Sequence, residues 1–328
     1  MSPVPISLIV DDPCPGLHLY YTHAARRSED GNPKTTDGRP LLPTIPNTML
    51  ERFCDLAEEF DLRGKFSIVP RPSVAGSINS RLDGVSEEAL GEWLDLARRR
   101  VVPRFDITPE MITHDWALDL DTLQPLSENE HVWSKHQTTA TLQSYIAFAL
   151  GELKQAGFDA TGVTSPWSFG VEVEADYARA TLEAQEQVYG RRNTWYFLRF
   201  SEAADTRAQV MIDETDGAGR RRSCVSVIAT VNDYLWPTMD SPRTDAEHLA
   251  AFADHYLTID GRSGRLRELL DGGGDLVLCT HWQSLFSNGT LAGLGALSEV
   301  ARRVRDTLGD AVRWTKCSDL AATALMRA

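Results

Sequence analysis

Short apolar runs alternate with longer amphipathic stretches along most of the chain. Residues 6–10 form an apolar, β-rich run and predict a buried strand. After a polar loop over 26–46, Met49, Leu50, Phe53, Leu56, Ala57 and Phe60 recur at helical spacing, with Asn47 as the expected N-cap and Gly64 as the expected stop. Residues 65–69 predict a second strand closed by Pro70. Ser86, Glu87 and Glu88 open a helix to about Arg100, with acids first and arginines last, as the helix dipole favours. Residues 105–113 predict a third strand that delivers His114. A helix over 139–156, a strand over 161–164, a helix over 175–188 and a strand over 194–200 continue the alternation. Residues 208–212 and 223–231 flank a Gly-rich turn and predict a β-hairpin. Helices near 246–256 and 263–270, a strand over 276–279, a helix over 294–308 and a strand over 312–315 complete the pattern.

Strand and helix in alternation predict an α/β fold with parallel strands and helices outside them, as a barrel or a doubly wound sheet. No Ser/Gly-rich or Pro-rich tract divides the 328 residues, so one domain over 1–328 is expected. No GxGxxG follows the first strand and no GxxxxGK[ST] occurs, which removes the main support for dinucleotide and P-loop readings.

In a β/α barrel the reacting groups stand at the C-terminal strand ends, and Asp11, Asp12, Pro70, His114, Ser165 and His281 all fall at such ends. Adjacent acids after a buried strand repel each other unless a cation or hydrogen bonds intervene. A divalent metal resolves this, one acid serving as ligand and the other as base; a plain Asp-Pro turn is the structural alternative. His114 closes an apolar strand beside Asp115, which suits an imidazole ligand oriented by a carboxylate. His131 and His136 lie just before the helix over 139–156, as ligand candidates or loop residues. His281 ends a strand and suits a general acid. His18, His23, His248 and His255 lack such placement and read as packing or surface residues. Trp116, Trp133, Trp167 and Trp282 adjoin these positions; aromatics stack on sugar rings, although they also simply pack.

Composition narrows the setting. With 33 basic against 47 acidic residues and a net charge of −14, the surface repels phosphate backbones and anionic membranes, so neither nucleic acid nor membrane is an expected partner. The basic run at Arg220–Arg222 reads as a solvated hairpin tip. The start lacks a basic, apolar leader pattern, and no apolar stretch reaches the ~18 residues of a membrane span. Five cysteines without CxxC spacing read as free thiols in a reducing compartment. A cytoplasmic protein is expected; its oligomeric state is not legible.

The motif order resembles the polysaccharide deacetylase family, metal-dependent carbohydrate esterases with a distorted β/α barrel. Ile9-Val10-Asp11-Asp12-Pro13 stands where that family has a Thr-Phe-Asp-Asp-Gly-type motif. The resemblance implies Asp11 as catalytic base and Asp12 as metal ligand. The family's second motif has two histidines four apart: His114 matches the first by strand order, while His131 to His136 resembles the pair with one residue inserted. The implied ligand set is Asp12, His114 and His136, with His131 competing for the third place. Ser165-Pro166-Trp167-Ser168-Phe169-Gly170 stands in place of Arg-Pro-Pro-Tyr-Gly, without its arginine. Leu276-Val277-Leu278-Cys279-Thr280-His281 matches the late Leu-x-x-Leu-His motif and implies His281 as catalytic acid. The expected activity is metal-dependent hydrolysis, with zinc or another divalent ion, of an acyl amide or ester on a carbohydrate-related or small-molecule substrate bound by Trp133, Trp167 and Trp282. Two other readings stay open: a glycoside hydrolase pairing Asp11 or Asp12 with Asp115 or Glu110, and a non-catalytic carbohydrate-binding barrel.

Overall fold

The computed structural model describes residues 3–328. It is an α/β fold whose strands lie in two main sheets. The first sheet contains β1 (Val4–Asp11), β2 (Gly64–Ile68) and β3 (Phe105–Pro109). The second contains β4 (Gly162–Thr164), β5 (Asn193–Phe200), β6 (Gln209–Thr215) and β7 (Arg221–Ala229). Strands β8 (Leu276–His281) and β9 (Val312–Trp314) both return to β1. The first sheet runs β8-β1-β2-β3, all parallel, and the second runs β6-β7-β5-β4, parallel except for the hairpin strand β6. The two sheets meet at two single parallel bridges, Glu110 to Thr164 and Val231 to Leu278. No continuous ladder joins them there.

Alternation of side chains across a strand divides the interior in two. On β1, Leu8 and Val10 pack outward with Phe53, Phe66 and Trp282 in a large core beneath the helices. Ile9 faces the other way, against Trp195, Phe197, Val225 and Val277 from three other strands. A C-terminal helix over Cys317–Arg327, absent from the pattern read in the sequence, packs Cys317, Leu320, Ala321 and Ala324 on this inner cluster. It is pinned by Asp106, which accepts from Ser318 N at 2.7 Å and Ser318 Oγ at 3.0 Å.

Three boundaries differ from expectation for identifiable reasons. The helix Asn47–Glu59 is preceded by Pro46 at the N-cap, and the Asn47 amide instead donates to Ala89 O at 2.9 Å. Gly64 does not stop that helix; Asp61 takes the left-handed turn (φ 52°), and Gly64 opens β2 where a Cβ would fall 1.8 Å from the Leu8 carbonyl. Strand β3 ends at Pro109, five residues before His114, with left-handed turns at Met111 and His114 in between. A helix over Leu19–Arg27 also lies in a stretch where none was anticipated. No helix among the described residues is long and apolar enough to cross a membrane.

Candidate metal centre

Strand alternation puts Ser7, Ile9 and Asp11 on one face of β1. Asp12 would fall on the other, but its backbone turns left-handed (φ 69°). Non-Gly residues seldom adopt this conformation, and it costs on the order of 1–3 kcal/mol. The turn is fixed by a hydrogen bond from Asp12 N to Glu110 Oε2 at 2.7 Å. Ser67 Oγ donates to the same oxygen at 2.6 Å, leaving Glu110 Oε1 free toward the cavity. His114, also left-handed at φ 55°, brings Nε2 to 2.8 Å from Asp12 Oδ1 and 3.4 Å from Glu110 Oε1. The His114 ring is thus an ion-pair contact, and buried Asp12 Oδ1 has no hydrogen-bond partner. One ligand atom from each of Asp12, Glu110 and His114 lies within 4.8 Å of the others, and all three residues are buried.

Two carboxylates and an imidazole converging on one space, with an orphaned oxygen among them, form a donor set that fits a divalent cation. Burial opposes every charge here. The Asp12 and Glu110 carboxylates outweigh it at His114 and hold its pKa well above that of an ordinary histidine. The His114 charge in turn draws Asp12 below the usual carboxylate range. Glu110 is pushed up by burial and by the charges of Asp11 and Asp12.

The loop carrying His114 is tied from below. Glu130, with no solvent exposure, accepts from the backbone N–H of Ile112 and Thr113 (3.0 Å each) and His114 (2.9 Å), and from the Tyr145 hydroxyl (2.8 Å). Beside it, Asp115 pairs with Arg26 and accepts from the Asn129 amide at 3.0 Å.

Asp11 belongs to a second group. Its carboxylate pairs with the fully buried Lys65 ammonium, which also donates to Thr164 Oγ1 at 2.8 Å. The Cys279 thiol lies 3.7 Å from Asp11 Oδ2. Asp11, Cys279 and His281 also offer ligand atoms within 4.8 Å of one another. Here the Lys65 cation already answers the carboxylate, and burial with the charges of Asp11 and Asp233 pushes the Cys279 thiol well above its ordinary pKa. This group is a hydrogen-bonded network carrying its own counter-charge. His281 Nδ1 lies 2.8 Å from Asp233 Oδ2. Burial disfavours its charge, but Asp233, Asp12 and Asp11 raise its pKa to about 10, so the imidazolium form predominates at neutral pH.

Both groups open on a cavity of about 470 Å³, floored by Asp11, Asp12, Glu110, His114 and His281. Its volume is within the ~300–1,000 Å³ range typical of ligand sites. Of the residues singled out in the sequence, Asp11, Asp12, Glu110, His114, Ser165, Trp167 and His281 line it. Others are elsewhere: His136 is exposed on a turn, and Glu110 stands where a third ligand was sought. His131 lies against Trp167, ring centroids 4.9 Å apart, outside the converging trio. Trp133 packs on Tyr145 at 4.5 Å, and Trp282 is 1% exposed between Phe53 and Phe66. The structure does not bring either of these two to the cavity.

Lys65, Asp233 and His23 escaped the sequence reading as site residues, and Glu110 entered it only as a glycosidase acid, not as a ligand. Reading the strand through Thr113 hid Glu110, whose signal was its place directly after Pro109. Lys65 and Ser67 alternate with Phe66 and Ile68 on a fully buried strand, and a buried lysine in such a run is itself a signal. His23 stacks on His114, ring centroids 5.4 Å apart, from a helix with no apparent motif.

No family model matches the sequence, and neither does any curated protein. Among solved structures, a candidate polysaccharide deacetylase from Mycobacterium smegmatis aligns at 14% identity and TM-score 0.49, over 85% of this chain and 77% of its own. A 4-alpha-glucanotransferase from Thermococcus litoralis aligns at 12% identity and TM-score 0.47, over 98% of this chain. The chain spans only 40% of that second protein.

Proposed function

We propose that this chain is a metal-dependent hydrolase of the deacetylase type, built on a distorted β/α barrel and removing an acyl group from a carbohydrate-related amide or ester. The two isolated parallel bridges between the sheets, Glu110 to Thr164 and Val231 to Leu278, support the barrel reading. The observation that carries the function is the convergence of Asp12, Glu110 and His114 at the cavity floor with Asp12 Oδ1 left without a donor. These three residues would hold a zinc or other divalent ion. When bound, such an ion supplies Lewis acidity and lowers the pKa of a water from ~15.7 toward ~7.

The remaining work falls to this chain's own groups. Asp11, oriented by Lys65, takes the proton from the attacking water. His281, held protonated by Asp233, gives a proton to the departing amine or alcohol. Lys65, from another strand, supplies the cation that fixes the base. The paired-carboxylate reading gains less, because the Asp12 and Glu110 oxygens converge around the His114 ring within 4.8 Å. Glycosidase carboxyl groups stand roughly 5–9.5 Å apart with a sugar or water between them.

The test is elemental analysis of the purified protein, followed by acetate release from N-acetylglucosamine oligosaccharides and p-nitrophenyl acetate before and after chelation. One bound divalent ion per chain, with activity lost on chelation and restored by zinc, manganese or cobalt, is expected. Undiminished hydrolysis in metal-free protein overturns the proposal.

A further inference from the structure

A second hollow of about 420 Å³ adjoins the catalytic cavity. The two share Tyr20, His23, Trp167 and Trp236 on their linings, so they form one continuous groove. Trp167 is 44% exposed and Tyr20 37%, a large aromatic surface left open beside buried polar groups. Trp167 is held at φ 48°, a strained conformation for a non-glycine residue. Tyr20 and Trp236 meet edge to face at 5.2 Å, and both line the same two hollows as Trp167. Between these walls the His23 Nε2 is buried without a partner, an unused hydrogen-bonding atom at the junction of the two hollows.

The outer end is different in charge. Arg27 and Lys34 line it, both exposed. Neither makes an ion pair or a side-chain hydrogen bond among the described residues. On a chain with 47 acids against 33 bases, most arginines are paired with a carboxylate, and two unanswered cations at one end of an aromatic groove stand apart.

We propose that this groove binds an anionic carbohydrate: a sugar ring stacks between Trp167 and the Tyr20–Trp236 pair, and a carboxylate or phosphate on the neighbouring unit is held by Arg27 and Lys34. The acyl-bearing unit then sits in the inner cavity, so the inference rests on the proposed hydrolase and names its substrate class. Sugar faces suit aromatic platforms. An exposed cation pair adds salt-dependent attraction to an anion.

The test is titration of tryptophan fluorescence with two tetrasaccharides of like acetamide content. One is a hyaluronan tetrasaccharide, alternating N-acetylglucosamine and glucuronate; the other is its neutral carboxyl-reduced counterpart, alternating N-acetylglucosamine and glucose. The anionic probe is expected to bind about tenfold tighter at low salt, and the gap should close at 0.5 M salt. The Arg27→Gln/Lys34→Gln double variant should lose that tenfold gap and leave binding of the neutral tetramer unchanged. Competition by glucuronate against glucose 6-phosphate separates the two anion sources, the stronger competitor naming the group. Equal affinity for both tetrasaccharides, or a gap that survives the double variant, overturns the inference. Its failure is separable from that of the hydrolase reading: hydrolysis of p-nitrophenyl acetate does not use the outer groove, and anionic binding does not require turnover.

Discussion

Two trios face each other across one cavity, and both meet the distance criterion for holding a metal. Asp12, Glu110 and His114 bring two carboxylates and one imidazole together with no lysine or arginine among them. Asp11, Cys279 and His281 bring one carboxylate, already paired with Lys65, a thiol held well above its ordinary pKa, and an imidazolium paired with Asp233. In the first trio the cation facing the carboxylates is the His114 imidazolium itself, which must give up its proton to bind a metal; the second is answered from within by Lys65. Proximity therefore does not distinguish a cation site from a proton-handling network. The counter-charges do, because a buried carboxylate needs a cation from somewhere.

The largest break in this comparison comes from Asp12→Ala and His114→Ala. Each should empty the centre of metal, read by elemental analysis after dialysis. Acyl hydrolysis should fall by on the order of 10³-fold, since metal polarisation is worth several kcal/mol and each ~1.4 kcal/mol is tenfold. Retained stoichiometric metal in both variants would falsify the ligand assignment.

Next in size is Lys65→Met. It strips the counter-charge from Asp11 while leaving the first trio intact. Removing one partner of a buried ion pair costs about 3–5 kcal/mol, to be read as a lower urea midpoint. The Lys65→Met/Asp11→Asn double variant should recover much of that loss. Metal content should stay at one per chain in both, because neither residue belongs to the metal trio. A double variant as unstable as the single one would show that Lys65 acts through packing on Phe197, which its ammonium approaches at 5.1 Å, rather than through charge.

The general acid gives a smaller, pH-dependent effect. Asp233, Asp12 and Asp11 raise the His281 pKa to about 10 in the fold, against about 6.5 for an ordinary histidine. A raised histidine pKa stabilises the fold fully below about 6.5, and that contribution is lost as pH rises through about 10. The acid form is also lost above 10, so the rate should fall on the alkaline side. Asp233→Asn removes the hydrogen-bonded carboxylate and should move that alkaline limb toward neutral pH, with a loss of roughly 10–100-fold at pH 8, the usual scale for partners that orient a site histidine. An unmoved limb in Asp233→Asn would detach His281 from the proton transfer.

The alternation of strand and helix was legible because it rests on local periodicity, and so was the strand-end placement of Asp11, Asp12 and His281, whereas His114 stands on a loop five residues beyond the end of its strand. The two acids were told apart only by backbone geometry. Asp11 continues the alternation of β1, whereas Asp12 leaves it through a positive φ fixed by a hydrogen bond from 98 residues away. Glu110 was weighed as a glycosidase acid, yet its closeness to Asp12 depends on the parallel pairing of β1, β2 and β3. Trp133 and Trp282 were chosen for adjacency in sequence, but neighbouring residues in a strand or helix point in different directions. Trp282 follows His281 directly and lies in the core. The C-terminal helix was missed because its apolar face is short and covers an interior that forms only when both sheets are in place.

The smallest expected effect is the sharpest check on the two-trio comparison. Cys279 meets the same distance criterion as His114, and a thiol is a good zinc ligand when deprotonated. In the fold it is a protonated donor toward Asp11 Oδ2, with burial and two carboxylates opposing its ionisation. Cys279→Ser keeps a donor of similar size at that position. Metal stoichiometry should be unchanged and hydrolysis should drop by no more than a few fold, the scale of one modest hydrogen bond of about 0.5–1.5 kcal/mol. Metal loss matching that of Asp12→Ala would mean that the cation spans both trios. Lys65 would then have to release Asp11 on metal binding, and the division between a metal trio and a proton-handling trio would give way to a single shared centre.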